Sequence, residues 1–322
     1  MVDKWLVGVD LGGTTTKIAF LNWYGEIVHK WEIPTDVSDK GKHIIVHIAK
    51  SIDTMLAQLG HSKEMLLGIG LGAPGPVDVS RGIIFGAVNL GWENEYPLKD
   101  MLELETGLPV IAENDANCAA LGEMWKGAGD GAKELVCVTL GTGVGGGIIS
   151  NGHIVHGVNG AAGEIGHITV IPQGGALCNC GKTGCLETVA SATGLVRMTK
   201  ELLAKEDTPS SLRQKSLDKL TAKDVFDAAK VGDELAEKAV DQLAFYLGLA
   251  LANLGNSLNP EYIVIGGGVS KAGNMLLEAI NSYFDQFAFP TVRTSTKLAL
   301  ATLGNDAGVI GAAWLAKHLL QR

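Results

Sequence analysis

Apolar residues recur along the chain at two different spacings. Between residues 4 and 33 they fall into three short runs, WLVGVDL, TTKIAFLN and EIVHKWEI, separated by the turn formers LGGT and WYGE, which predicts three strands. HIIVHIAKSIDTMLAQL (43 to 59) repeats at helical spacing, and LLGIGLG (66 to 72) is the unbroken apolar run of a parallel strand buried on both faces. The order is β-β-β-α-β. It starts again near residue 134, where ELVCVTLGTGVGGGIISNGHIV can be laid under KWLVGVDLGGTTTKIAFLNWYGEIV, with Val7 and Val9 on Val136 and Val138, and Leu11 and Gly12 on Leu140 and Gly141. Each copy is a strand, a Gly/Thr turn and a returning strand, although two glycine-rich hairpins can also match by chance. IAENDANCAALGEMW (111 to 125) predicts a strand running into a helix that starts near Asn114 or Asp115. Helical patterns follow over 222 to 254, interrupted near Gly232 and ended at Asn259-Pro260; then come a strand at 262 to 268, a helix over 271 to 284 and a final helix over 306 to 320. The charged stretch 205 to 220 is expected to be mobile.

The length of 322 residues, at roughly 150 per domain, predicts two domains and a cleft. Charge narrows the partners. With 26 basic and 35 acidic residues the net charge is -9, and no basic run offsets it, so nucleic acid is not expected as a partner. No window reaches the ~18 apolar residues of a membrane span and the N-terminus does not read as a signal peptide, so no membrane partner and a cytoplasmic location are expected. Five cysteines in such a chain argue against a disulfide framework. Cys118 and Cys137 read as core residues, whereas Cys178, Cys180 and Cys185 cluster. The chain also has 43 glycines, about twice the ~7% share usual for a protein.

Many of those glycines follow predicted strands. In DLGGTTTK, Gly12 and Gly13 let backbone N–H groups approach a phosphate, Thr14 and Thr15 add hydroxyls, and Lys17 adds charge. Asp10 would face that anion only through a cation, which implies a water-bridged Mg2+. An ordinary hairpin turn is the alternative. LGTGVGGGI, with Thr142 and Gly143, repeats the chemistry, and IGGGVS, with Gly267 and Gly268, places a third cluster where a strand meets a helix. None fits the P-loop or dinucleotide-fold motifs.

His167, Cys178, Cys180 and Cys185 follow the spacing H-x10-C-x-C-x4-C, a four-ligand set suited to a structural, tetrahedral Zn2+; buried thiols or a redox pair are the alternatives. Glu164 and Glu187 flank this cluster. Asp115, at a helix start, would stay ionised at neutral pH beside the helix dipole and accept a proton from an alcohol attacking a phosphoryl group, unless it merely caps the helix.

Together DLGGTTTK, GAPGPVD (72), NLGWEN (89), ENDAN (113), LGTGVGGGI, GEIGH (163), CNCGKTGCLE (178) and GGGVS (266) resemble the ROK family of sugar kinases, within the actin and hexokinase superfamily, over essentially the whole chain. Within it the chain looks like the glucokinases of Gram-positive bacteria. The resemblance implies an α/β, two-domain, ribonuclease H-like fold with a duplicated βββαβα core. A smaller domain over 1 to 113, completed by a helix over 305 to 322, would face a larger one over 114 to 304 that carries the zinc loop. It also implies transfer of the ATP γ-phosphoryl group to the 6-hydroxyl of glucose, with fructose, mannose or an N-acetylhexosamine as alternative acceptors and a non-catalytic sugar sensor as the remaining alternative. Asp115 matches the general base. Gly75, Asn89, Asn114, Glu164, His167 and Glu187 match sugar ligands. Asp10, Gly12, Gly13, Thr14, Thr15, Lys17, Thr142 and Gly143 match metal and phosphate contacts, and Gly267 and Gly268 lie where the family places the nucleoside. A homodimer is expected by the same resemblance.

Overall fold

The computed structural model describes residues 4–92 and 95–320, so Glu93 and Asn94, the end of the NLGWEN motif, lie outside the described residues. The main elements are β1 (Trp5–Leu11), β2 (Thr15–Leu21), β3 (Ile27–Pro34), α1 (Ile44–Gln58), β4 (Leu66–Ala73), α2 (Leu98–Thr106), β5 (Val110–Asn114), α3 (Asp115–Lys126), β6 (Leu135–Leu140), β7 (Val144–Ser150) and β8 (His153–Ile154). They continue with α4 (Ala192–Lys205), α5 (Ala222–Lys230), α6 (Glu234–Leu258), β9 (Tyr262–Gly266), α7 (Asn274–Phe287), β10 (Lys297–Leu300) and α8 (Ala307–Leu319).

Two five-stranded sheets form, in the orders β3-β2-β1-β4-β5 and β8-β7-β6-β9-β10. In the first, β1 runs antiparallel to β2 and parallel to β4, and β4 is parallel to β5. In the second, β6 and β10 both run parallel to β9 and β7 antiparallel to β8, so the strand orders correspond as the aligned hairpins predict. The apolar run of β4 is buried almost throughout, while β3, at a sheet edge, alternates half-buried and exposed residues.

By contact the chain divides into two units, Met1–Lys133 with Gly147–Gly163 and Leu303–Arg322, and Glu134–Gly146 with Glu164–Thr302. The first therefore keeps residues 114–133 and 147–163, which the sequence assigns to the larger domain. The reason is packing. Helix α3 lies against α8, where the carbonyl of Cys118 meets Gly311 and that of Ala307 meets Gly122. Helix α8 in turn packs on the sheet through glycine: a Cβ at Gly8 would lie 2.0 Å from the Val309 carbonyl oxygen, and one at Gly70 1.7 Å from that of Ala312.

Three local expectations change. The helix expected over 271 to 284 begins at Asn274, because Gly273 (φ +78°) ends a short 3-10 turn, Val269–Ala272, before it. The stretch expected to be mobile is tied down: Asp233 accepts from Ser210 and Ser211, and Arg213 donates to the carbonyls of Leu203, Glu206 and Thr208. Helices α2 and α4 are additional to the elements that the sequence pattern predicts. Among the described residues no helix is long and apolar enough to cross a membrane.

Candidate active site

In the first unit, β1 and β2 turn through Gly12 to Thr14, and the Gly12 N–H donates to the Thr15 carbonyl at 3.2 Å. Thr35 braces this loop, its hydroxyl donating to the Gly12 carbonyl at 2.7 Å. Thr14 is exposed, Thr15 is half-buried, and Gly13 faces Asn89, whose Nδ2 would lie 3.4 Å from a Cβ at that glycine. Asp10 and Lys17 are cross-strand partners, and Lys17 Nζ sits 3.2 Å from Asp10 Oδ2. The Asp10 carboxylate also abuts Gly308 in the first turn of α8, where a Cβ would lie 2.8 Å from Asp10 Cγ. Positive partial charge at that helix start favours an anion there.

The ambiguity at the start of α3 resolves through its cap. Asn114 occupies the N-cap: its Oδ1 accepts from the N–H groups of Ala116 and Asn117, and its Nδ2 donates to the Gly75 carbonyl at 3.1 Å. An amide has two N–H donors, and a hydrogen bond from the Asn114 side chain also acts to lower the Asp115 pKa. Asp115 is then released from capping. Its Oδ1 accepts the Ala116 N–H at 2.8 Å, and burial raises its pKa from 3.8 to about 6, with the Asp10 charge adding to the rise. Loss of hydration thus outweighs the helix dipole, yet a pKa of about 6 still leaves the carboxylate mostly ionised at neutral pH.

In the second unit the turn Gly141–Gly143 joins β6 to β7. Ala192 N–H donates to the Gly141 carbonyl and the Thr193 hydroxyl to that of Thr142, so the start of α4 cups the loop, with Thr142 exposed. Glu187 closes its other side: Oε2 accepts the Val144 N–H at 3.0 Å, and a Cβ at Gly143 would lie 2.3 Å from that oxygen. The Cys178 thiol points at Glu187 Oε1 from 3.8 Å, which ties this turn to the cysteine loop.

That loop brings together all four expected ligands. One donor atom each from His167, Cys178, Cys180 and Cys185 lies within 4.8 Å of the others. Bonds of ~2.3 Å to sulfur and ~2.0 Å to imidazole, arranged as a tetrahedron, put neighbouring sulfurs ~3.8 Å apart and a sulfur and nitrogen ~3.5 Å apart. The observed Cys180–Cys185 and Cys178–His167 Nδ1 separations are 3.7 and 3.5 Å. Burial and the neighbouring thiols push the Cys185 thiol up to about 12. Sulfurs this crowded become thiolates when a cation compensates them, and the donor set fits Zn2+. His167 turns Nε2 the other way, 3.8 Å from the exposed Glu164 carboxylate.

The third glycine cluster packs on the second. Gly267 has φ +87°, and a Cβ there would lie 2.4 Å from the Leu140 carbonyl oxygen, so only glycine fits. Gly268 is open. It borders a cavity of about 430 Å3 lined also by Ala192, Ala222, Lys223, Phe226 and Ala272. The volume falls within the range of small-molecule sites. Sequence reasoning missed Lys223 and Phe226; the capping box of Thr221 and Asp224 that starts α5 was the available signal for the helix, though not for the cavity. Another cavity, of about 540 Å3 and bordered by Trp31, His47 and Met55, contains none of the predicted site residues.

The ROK family model matches residues 6–319. The chain is 60% identical to the glucokinase of Halalkalibacterium halodurans over 319 residues, spanning 99% of this chain and 96% of that protein. Among solved structures it is similar to a ROK hexokinase from Thermus thermophilus (TM-score 0.83, 33% identity, 98% of this chain and 99% of that one). It is similar also to a ROK family glucokinase from Streptomyces griseus in complex with glucose and AMPPNP (TM-score 0.78, 38% identity, 98% and 99%). With the family pattern matched from end to end and a relative this similar over almost its full length, the chain belongs to the ROK family.

Proposed function

We propose that this protein is a glucokinase, transferring the γ-phosphoryl group of ATP to the 6-hydroxyl of glucose to give glucose 6-phosphate and ADP. The observation that carries the mechanism is the division of labour at the start of α3: Asn114 caps the helix, leaving the neighbouring Asp115 carboxylate, with a pKa near 6, free to act as a base. Similarity to glucokinases along the whole chain supports the choice of sugar.

Asp115 takes the proton of the 6-hydroxyl as its oxygen attacks phosphorus, which requires the ionised form. Asn114, Asn89, Gly75, Glu164, His167 and Glu187 hold the sugar hydroxyls; a site built to hydrogen-bond each hydroxyl rejects sugars that lack one. The N–H groups and hydroxyls of the two Gly/Thr turns stabilise the phosphoryl oxygens, and the cavity beside Gly268 takes the nucleoside. Mg2+, bound with ATP, neutralises phosphate charge, and Asp10 would hold it through water. Zn2+ on the His167 and cysteine set has no open position and is structural. The protein works in the cytoplasm as a homodimer, a state that sedimentation would read. An ADP-release assay across glucose, fructose, mannose and N-acetylhexosamines, with ATP and polyphosphate as donors, tests the assignment: glucose with ATP gives the highest kcat/KM, and a higher value for another sugar would reassign the substrate.

A further inference from the structure

Glu113 is an acid only 1% exposed, and it is not among the residues assigned above. It stands in β5 immediately before Asn114 and Asp115. Its Oε1 accepts the Asn114 N–H and the Asn117 Nδ2, each at 2.9 Å, and its Oε2 lies 2.6 Å from His156 Nε2. One carboxylate therefore joins the end of β5, the first turn of α3 and the segment after β8.

His156 closes its own segment. Its carbonyl accepts the Ala162 N–H at 3.1 Å, and within the turn Gly157 and Gly160 have positive φ. Gly160 comes within 3.2 Å, measured to an added Cβ, of the Val77 carbonyl, in the same GAPGPVD segment whose Gly75 receives Asn114. The turn ends at Gly163, and the next residue is Glu164. The hydrogen bond to Glu113 raises the His156 pKa, which favours its donating, protonated form.

We propose that the hydrogen-bonded Glu113–His156 pair is a positioning element for the sugar-phosphorylating site, fixing the peptide that carries Asn114 and Asp115 to the turn that leads into Glu164. The inference rests on the glucokinase reading. Without a donor from His156, Glu113 Oε2 is a buried, unpaired charge. The carboxylate then rotates or takes a proton, and in either case loosens its hold on the Asn114 N–H. Neither residue touches the nucleotide cavity, so the effect falls on sugar and turnover rather than on ATP.

The test compares His156→Phe, which keeps bulk but removes the donor, with His156→Gln, which keeps a donor. His156→Phe is expected to lower kcat/KM for glucose about ten- to a hundredfold, the scale of a lost charge-assisted hydrogen bond, with KM for ATP unchanged. His156→Gln should recover most of that loss. Wild-type glucose kinetics in the Phe variant, equal impairment of both variants, or a matching rise in KM for ATP would overturn the proposal. If His156→Phe does not fold, His156→Ala with added imidazole replaces it, the half-exposed ring position admitting the small molecule. Restored glucose turnover supports the pair and no restoration counts against it. The wild-type chain separates the two ideas, because its inability to phosphorylate glucose would sink the kinase reading itself.

Discussion

Replacing Asp115 by Asn should make the protein more stable and nearly inactive at once. The shift from 3.8 to about 6 spans about two pH units. At ~1.4 kcal/mol per unit the ionised carboxylate costs the folded state about 3 kcal/mol at neutral pH, discounted to about 2 because the side chain keeps some solvent. The sign follows from the raised folded pKa: the cost is present above pH 6, shrinks as the pH falls toward 3.8, and is absent below it. Asn fits the same position without charge. Urea unfolding of both proteins should then show the variant about 2 kcal/mol more stable at pH 7.5, with the gap closing near pH 4. Turnover should fall by about 10²- to 10⁴-fold with glucose affinity near normal, and wild-type kcat/KM should drop about tenfold per pH unit below about 6. A variant that keeps most of its turnover would remove Asp115 as base, and one no more stable than wild type at pH 7.5 would refute the burial argument.

Other substitutions test separate parts. The purified chain should hold about one zinc per molecule, and Cys180→Ser should weaken glucose binding by loosening the loop that carries His167 and Glu187; full activity in a metal-free preparation would contradict this. Gly267→Ala should cost ~1 to 3 kcal/mol, read by thermal melting, and raise KM for ATP, because its backbone is left-handed and its Cβ would strike Leu140; unchanged stability would show that the turn relaxes freely. Ala272→Phe, which fills the cavity beside Gly268, should raise KM for ATP and leave glucose affinity alone; an unaffected ATP KM would place the nucleoside elsewhere.

The elements legible in the sequence were those whose pattern is local. Strands β1 to β4 announced themselves by apolar runs between turn residues, and the convergence of His167 with Cys178, Cys180 and Cys185 by donor type and spacing. Position 115 was ambiguous because Asn114 and Asp115 are both good caps, and only the fold says which one the helix uses. The raised Asp115 pKa depends on neighbours that sequence does not place, such as Asp10. Glycine was half understood. A Cβ at Gly143 would strike the Glu187 carboxylate and one at Gly267 the Leu140 backbone, whereas Gly8, Gly70, Gly122 and Gly311 let α8 pack closely on strands and on α3, a tertiary demand with no local signature. That same packing moved residues 114–133 into the first unit. Glu113 carries no signal of its own, because a buried acid inside a strand looks, in sequence, like any other polar position.

The most direct measurement is a phosphorus NMR record of the reaction of the purified chain with ATP, Mg2+ and glucose. Glucose 6-phosphate and ADP should appear in equal amounts, with no free phosphate, and Asp115→Asn should abolish both signals. Release of inorganic phosphate without sugar phosphate, or phosphorylation at another hydroxyl, would contradict the central claim.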